Sequence, residues 1–241
     1  MKKQVKKIIA ALAASILIVV ATVSGTLAYL TATETVTNTF TVGNVEIELE
    51  EPNWPDTIPE QILPNQVIEK DPQVTNTGNY GAVVFLKVDV PTKNYTHVAD
   101  DGTVGELSYK DVVYLRNINS SEAGSLSVHE TSFDENWMLL TGDGYSKINT
   151  NDNTGSSYIL AYETILEPGK TTTPAFQNIQ IANAIEGAFV HVTQEIGVTA
   201  YAIQASDIYE GDSDLTQNLS EDNLKKIYDT YLKQEVTSQV P

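Results

Sequence analysis

From Val45 to Glu50 the chain alternates apolar and acidic residues without a break: Val45, Ile47 and Leu49 fall on one side, Glu46, Glu48 and Glu50 on the other. A period of two with one oily and one charged face predicts a half-buried β-strand. Phe40 and Val42 alternate on the opposite parity, so a bulge or bend is expected at Gly43-Asn44. Pro52, Pro55 and Pro59 then predict the end of the strand and a stiff connector. Residues 67–77 read as a strand, Asn76-Thr77-Gly78-Asn79 as a turn, and residues 82–90 as the next strand. Val84, Leu86, Val88 and Val90 share one face there, and Lys87 and Asp89 the other; pairing across the turn predicts a β-hairpin.

The pattern weakens from about residue 92 to 156. Asp100-Asp101-Gly102 and the stretches 117–124 and 149–155 are rich in turn residues, with short apolar pieces at 112–115 and 137–140. This reads as a long irregular insertion carrying short strands. Strand signals resume at 158–166, 171–181 and 189–203, with a turn at Glu167-Pro168-Gly169-Lys170. In the last stretch Val190, Val192, Ile196, Val198, Ala200 and Ala202 share a face. The C-terminal pattern changes period. Leu224, Ile227, Tyr228, Tyr231 and Leu232 recur at helical spacing behind Ser220, Glu221 and Asp222, which suit a helix N-terminus. One amphipathic helix over 221–234, packed on the sheets, is expected. Many short strands, one helix and no βαβ rhythm predict an all-β sandwich.

The N-terminus has another character. Lys2, Lys3, Lys6 and Lys7 precede an apolar run over residues 8–23, followed by Ser24-Gly25-Thr26-Leu27-Ala28 with small residues at Thr26 and Ala28. That is the layout of a secretory signal peptide over residues 1–28, cut between Ala28 and Tyr29, and the run is short for a spanning helix. Residues 29–241 are then expected to form a single exported domain, without a membrane span after cleavage. Every acid lies beyond residue 28. Removing four of the 14 basic residues leaves 10 against 32 acidic ones, a balance of −22. Such a surface repels nucleic acid and anionic membranes. There is no cysteine, so the core alone must hold the fold.

Three stretches resemble the TasA/camelysin family of Gram-positive bacteria. The first is Ser24-Gly25-Thr26-Leu27-Ala28-Tyr29-Leu30-Thr31, leading into Asn38-Thr39-Phe40-Thr41-Val42-Gly43-Asn44-Val45. The second is Leu63-Pro64-Asn65 through Lys70-Asp71-Pro72, with Val74-Thr75-Asn76-Thr77-Gly78; Asn65 stands where the family usually has glycine. The third is Leu166-Glu167-Pro168-Gly169 with residues 192–205. The resemblance implies a jelly-roll-like sandwich, export through a signal peptidase of SipW type, and self-assembly into biofilm matrix fibres. In such fibres the N-terminal strand of one subunit completes the sheet of the next. The segment 29–50 is then the assembly strand, with Phe40, Val42, Val45, Ile47 and Leu49 as anchors and Gly43 as a flexible point. The partners are further copies of the chain or related matrix subunits. The alternative reading is a monomeric cell-surface module that binds carbohydrate or protein.

The residues argue against an enzyme. The name camelysin carries a claim of metalloprotease activity, yet His129-Glu130 has Phe133 where a zinc helix needs its second histidine. His191 and Glu195 share a strand face but make only two ligands, and His97 stands apart. No GxSxG is present. Asn149, Asn151, Asp152 and Asn153, and the pair Asp212 and Asp214, are oxygen-rich but lack the EF-hand order, and they read as solvated turns. Tyr158, Tyr162 and Tyr201 lie in expected strands, where β propensity accounts for them. No cofactor is expected.

Overall fold

The computed structural model describes residues 45–55, 63–99, 101–117, 133–184, 195–210 and 213–238. The signal segment, the cleavage point Ala28–Tyr29, the anchors Phe40 and Val42, and Gly43 lie outside them. The described strands are β1 (Ile47–Glu50), β2 (Val67–Glu69), β3 (Gln73–Asn76), β4 (Ala82–Val90), β5 (Thr92–Val98), β6 (Val104–Asp111), β7 (Val113–Arg116), β8 (Trp137–Leu139), β9 (Ser156–Tyr162), β10 (Asn178–Ile181) and β11 (Gly197–Gln204). A small pair, β12 (Tyr209–Glu210) and β13 (Ser213–Asp214), leads into the 3-10 turn Leu215–Gln217 and helix α1 (Glu221–Ser238). Every strand pair is antiparallel. The largest sheet has the order β11-β4-β9-β8, a second β2-β10-β7, and β1 and β3 make a third. The fold is all-β and jelly-roll-like, with one C-terminal helix and no closed barrel among the described residues.

The main core lies between these sheets. Val84, Leu86 and Val88 of β4 and Tyr158 and Leu160 of β9 meet Ile68, Val74, Leu115, Phe176 and Ile179. The inward face of β11 joins them through Val198, Ala200 and Ala202. On the outer face of β4, Val83 and Phe85 pack with Ile203 of β11 and with Leu224, Ile227 and Tyr228 of α1. The Phe85 and Tyr228 rings are 5.1 Å apart. This explains why the start of β4 is buried on both faces, whereas Lys87 and Asp89, both lining an open groove, pair with each other at 2.8 Å. The helix begins as expected, with Glu221 and Asp222 in its first turn and the Leu224 amide on the Ser220 carbonyl at 2.8 Å. Leu232, assigned from periodicity to the apolar stripe, is instead exposed.

Four expectations about the strands are corrected. Residues 67–77 are not one strand: β2 and β3 belong to different sheets and are separated by residues 70–72, where Pro72 has no amide to give to a ladder. Nor does that segment form a hairpin with β4: β3 pairs with β1, and the neighbours of β4 are β11 and β9. The start of the supposed irregular insertion is regular. Strands β5 and β6 form a hairpin whose turn is closed by the Asp101 carboxylate on the Thr103 amide and by Gly102 at φ +85°. Strand β7 is a member of the β10 sheet, and β8 lies at the edge of the largest one. Within 171–181, only β10 is a strand.

A buried polar knot accounts for several tyrosines. Asp111, 3% exposed, accepts hydrogen bonds from the Ser156 and Tyr158 hydroxyls. Tyr95 donates to the Asp111 carbonyl at 2.6 Å and lies 3.0 Å from the Tyr114 hydroxyl. Burial pushes all three phenols upward, Tyr114 to about 12; the neighbouring Tyr114 adds to the rise of Tyr95, and the Asp111 carboxylate to that of Tyr158. These hydroxyls stay protonated in the fold above pH about 10, where an unfolded tyrosine ionises. The unfolded chain then holds fewer protons, so stability falls as pH rises. The urea midpoint is expected to stay level up to about pH 9.5 and to fall above it, with part of the slope removed in Tyr158→Phe. An unchanged midpoint at pH 11 contradicts this.

Candidate functional site: the cradle of the first strand

Strand β1 is short, and its hold on the domain is correspondingly modest. It pairs with β3 in the register Ile47↔Asn76, Glu48↔Thr75, Leu49↔Val74 and Glu50↔Gln73. Val45, Ile47 and Leu49 are half-buried against the main core, while the glutamates face solvent, as the alternation predicts. Half-burial of three such side chains is worth roughly 1 kcal/mol each. The main-chain anchor is the Glu46 carbonyl, which accepts from the amides of Thr77 at 2.9 Å and Gly78 at 3.0 Å.

Those amides belong to the Asn76-Thr77-Gly78 turn, and Asn76 fixes it. Its side chain is completely buried. It donates to the carbonyls of Tyr80 at 2.8 Å and Leu166 at 2.7 Å, and accepts from the Gly78 amide at 3.0 Å. Its backbone is gripped by the second turn: the Gly169 amide bonds the Asn76 carbonyl, and the Asn76 amide bonds the Lys170 carbonyl. Gly169 sits at φ +72°, the left-handed position that a Pro-Gly turn requires, with the Lys170 amide on the Glu167 carbonyl at 3.1 Å.

Where β1 ends, a second grip begins. Lys70, buried between β2 and β3, places its ammonium 2.6 and 2.7 Å from the two oxygens of Glu51. The same ammonium lies 4.5 Å from the centre of the Trp54 ring. Asp71, also buried, accepts from the Asn53 amide at 2.9 Å and from its side-chain nitrogen at 2.7 Å. The Lys70-Asp71 pair therefore clamps residues 51–54, the root of the first strand. Asn65 adopts φ +65°, which explains why glycine serves at this position and why asparagine, the residue that best tolerates left-handed backbone after glycine, can replace it. Its side chain also accepts from Gln180, which ties the start of β2 to β10.

Three motifs, two neighbouring ones within residues 70–78 and a third about 90 residues further on, thus converge on one object. Lys70-Asp71, Asn76-Thr77-Gly78 and Leu166-Glu167-Pro168-Gly169 all hold the first strand or the turn that holds it. Sequence reading singled out the strand and the motifs but missed the clamp. The one signal was the lysine–aspartate pair set between Val67-Ile68 and Val74.

A family model described as "Camelysin metallo-endopeptidase" matches residues 2–135. The chain belongs to the camelysin family. No curated protein and no solved structure matches it significantly. The family's printed description implies a metal, and the described residues do not fit one: among them no group of three or more His, Cys, Asp or Glu is placed to hold an ion. His97 lies in β5 with its ring edge-on to Tyr114 at 6.5 Å, while His129, Glu130 and His191 are outside the described residues. Phe133 packs against Tyr158 in the core. The oxygen-rich loop at 149–153 is an exposed turn apart from the buried Asn149, and its polar groups bond one another. Asn149 donates to the Asp152 carboxylate at 2.6 Å and to Thr154 at 2.8 Å, and its own oxygen accepts the Asn151 amide. The Thr154 hydroxyl and the Asn149 amide hold the Asp152 carboxyl down at about 2. Asp214 caps the 3-10 turn through Thr216, and Asp212 is outside the described residues. No helix among the described residues is long and apolar enough to cross a membrane.

Proposed function

We propose that this camelysin-family chain is a secreted structural protein, a subunit of an extracellular matrix fibre assembled by exchange of its N-terminal strand. The observation that carries the reading is the convergence of the family-like motifs on β1. A catalytic role would concentrate them around a cleft; here they surround a weakly held strand and a firmly held root. The clamp on Glu51 and Trp54 keeps the root with its own domain, and the segment before it supplies the connector. A subunit that lends this segment forward and receives one behind makes a head-to-tail contact, which runs on as a filament when it does not close. The dense negative charge is screened over about 8 Å at physiological salt, so copies can assemble. On this reading the chain is cut between Ala28 and Tyr29 by a SipW-type peptidase and works at or beyond the cell surface, with copies of itself as partners.

Light scattering and electron microscopy of the mature protein test it. Deletion of residues 29–44, and separately Phe40→Asp, are expected to abolish filaments while leaving a folded monomer. Filaments like the parent's in both variants sink the strand-exchange mechanism. A parent that remains a sharp monomer at every concentration, and binds a glycan, favours a surface-binding module instead.

A further inference from the structure

A second contact surface lies on the β5–β6 ribbon, away from the first strand. Among the described residues β6 pairs with β5 alone, so its other edge is open. Leu107 and Val104 on this strand are 66% and 59% exposed. An open edge bearing large apolar residues invites another strand. What distinguishes β6 is the order of residues along it: Glu106-Leu107-Ser108-Tyr109-Lys110.

We propose that β6 pairs antiparallel with β6 of a second copy, about a two-fold axis at Ser108. In that register Glu106 stands opposite the second copy's Lys110, Leu107 opposite its Tyr109, and Ser108 opposite its Ser108. The first two relations are each made twice and the serine pair once, on the axis, as a two-fold contact requires. One face of the joint carries two ion pairs and the other two aliphatic–aromatic pairs, both favourable across antiparallel strands. The register is selected by charge. Centring the pairing on Glu106 sets two glutamates opposite each other, and centring it on Lys110 sets two lysines together. In the single chain Lys110 turns back on its own strand, donating to the Glu106 carbonyl at 3.2 Å and to the Ser108 hydroxyl, with its ammonium 5.6 Å from the Tyr95 ring. The pairing redirects it a few ångströms to a carboxylate. The contact is symmetric and closes on two copies, so it differs in kind from the head-to-tail exchange proposed above. In a filament it would join neighbouring filaments side by side.

The chain has no cysteine, which makes the test clean. Ser108→Cys in the full mature chain places two thiols across the axis. Under mild oxidation it is expected to form disulfide dimers more than ten-fold faster than Thr141→Cys, an exposed control. In the Ser108→Cys background, Glu106→Lys or Lys110→Glu alone is expected to slow the linkage about ten-fold by setting like charges opposite. The charge-swapped double variant Glu106→Lys/Lys110→Glu is expected to recover it. Deleting residues 29–44 leaves the rate unchanged if the two contacts are independent, which separates this contact from strand exchange. Linkage no faster than the control, linkage indifferent to charge, no recovery in the double variant, or loss of linkage with the deletion overturns the proposal.

Discussion

Replacing Glu51 with alanine is expected to lower the free energy of unfolding by about 3 kcal/mol, because it leaves a buried ammonium without its counter-charge. The side chain of Lys70 is 6% exposed and that of Glu51 22%, so the two partners are not equivalent. Once Glu51 is gone, Lys70 retains the Trp54 ring, worth about 0.5–2 kcal/mol, and little else among its observed contacts. Removing the lysine instead is milder. In Lys70→Met the thioether fills the space, and the more accessible Glu51 turns to water, for a loss of about 1 kcal/mol. The double variant Glu51→Ala/Lys70→Met is expected to lie closer to the parent than Glu51→Ala does, since no charge is stranded. Urea titration of the four proteins measures the order. Equal losses in the two single variants contradict the asymmetry.

Asn76→Ala is expected to cost roughly 2–4 kcal/mol. Three hydrogen bonds are lost at a completely buried side chain. Each is worth about 1 kcal/mol net, so about 3 together. The Leu166 carbonyl keeps the Ala82 amide at 3.0 Å, which limits the damage there. Asn76→Asp has the same shape and is expected to be at least as harmful. A carboxylate cannot donate, and it would face two carbonyl oxygens in the interior. Both variants loosen the turn whose amides hold the Glu46 carbonyl, so β1 amides are expected to exchange hydrogen faster than in the parent. An Asn76→Asp protein as stable as the parent rules out the donor role assigned to this side chain.

The features legible in the sequence are those set by local periodicity. The alternation at 45–50 specifies a strand and its inward face. The helical spacing of Leu224, Ile227 and Tyr228 finds the stripe of α1, and Pro168-Gly169 finds its turn. The contacts that build the cradle are long-range. Glu51 and Lys70 are 19 residues apart, and Asn76 reaches Leu166 across 90. No period connects them, and the turn Asn76-Thr77-Gly78-Asn79 reads as the tip of a hairpin, although its first asparagine is committed to a distant carbonyl. The β5–β6 ribbon was missed for another reason. Its strands carry Lys93, Asn94, Glu106 and Lys110 and have no continuous apolar face, so the test that finds half-buried strands passes over them. Leu232 shows the opposite error: its spacing fits the stripe, yet it is exposed, while its neighbour Tyr231 packs on Tyr201 of β11.

The central claim is that the first strand is lent from one copy to the next, and trans disulfide trapping tests it most directly. Glu48 and Thr75 lie opposite each other in the β1–β3 pairing. One preparation of the mature chain carries Glu48→Cys, another Thr75→Cys, and the two are mixed before assembly and oxidised afterwards. Strand exchange predicts disulfide-linked pairs containing one chain of each kind, appearing with the filaments and absent when residues 29–44 are deleted. Filaments that yield no mixed pairs, while a single chain carrying both cysteines closes its own disulfide within those filaments, would show that β1 stays at home and that the account of assembly is wrong.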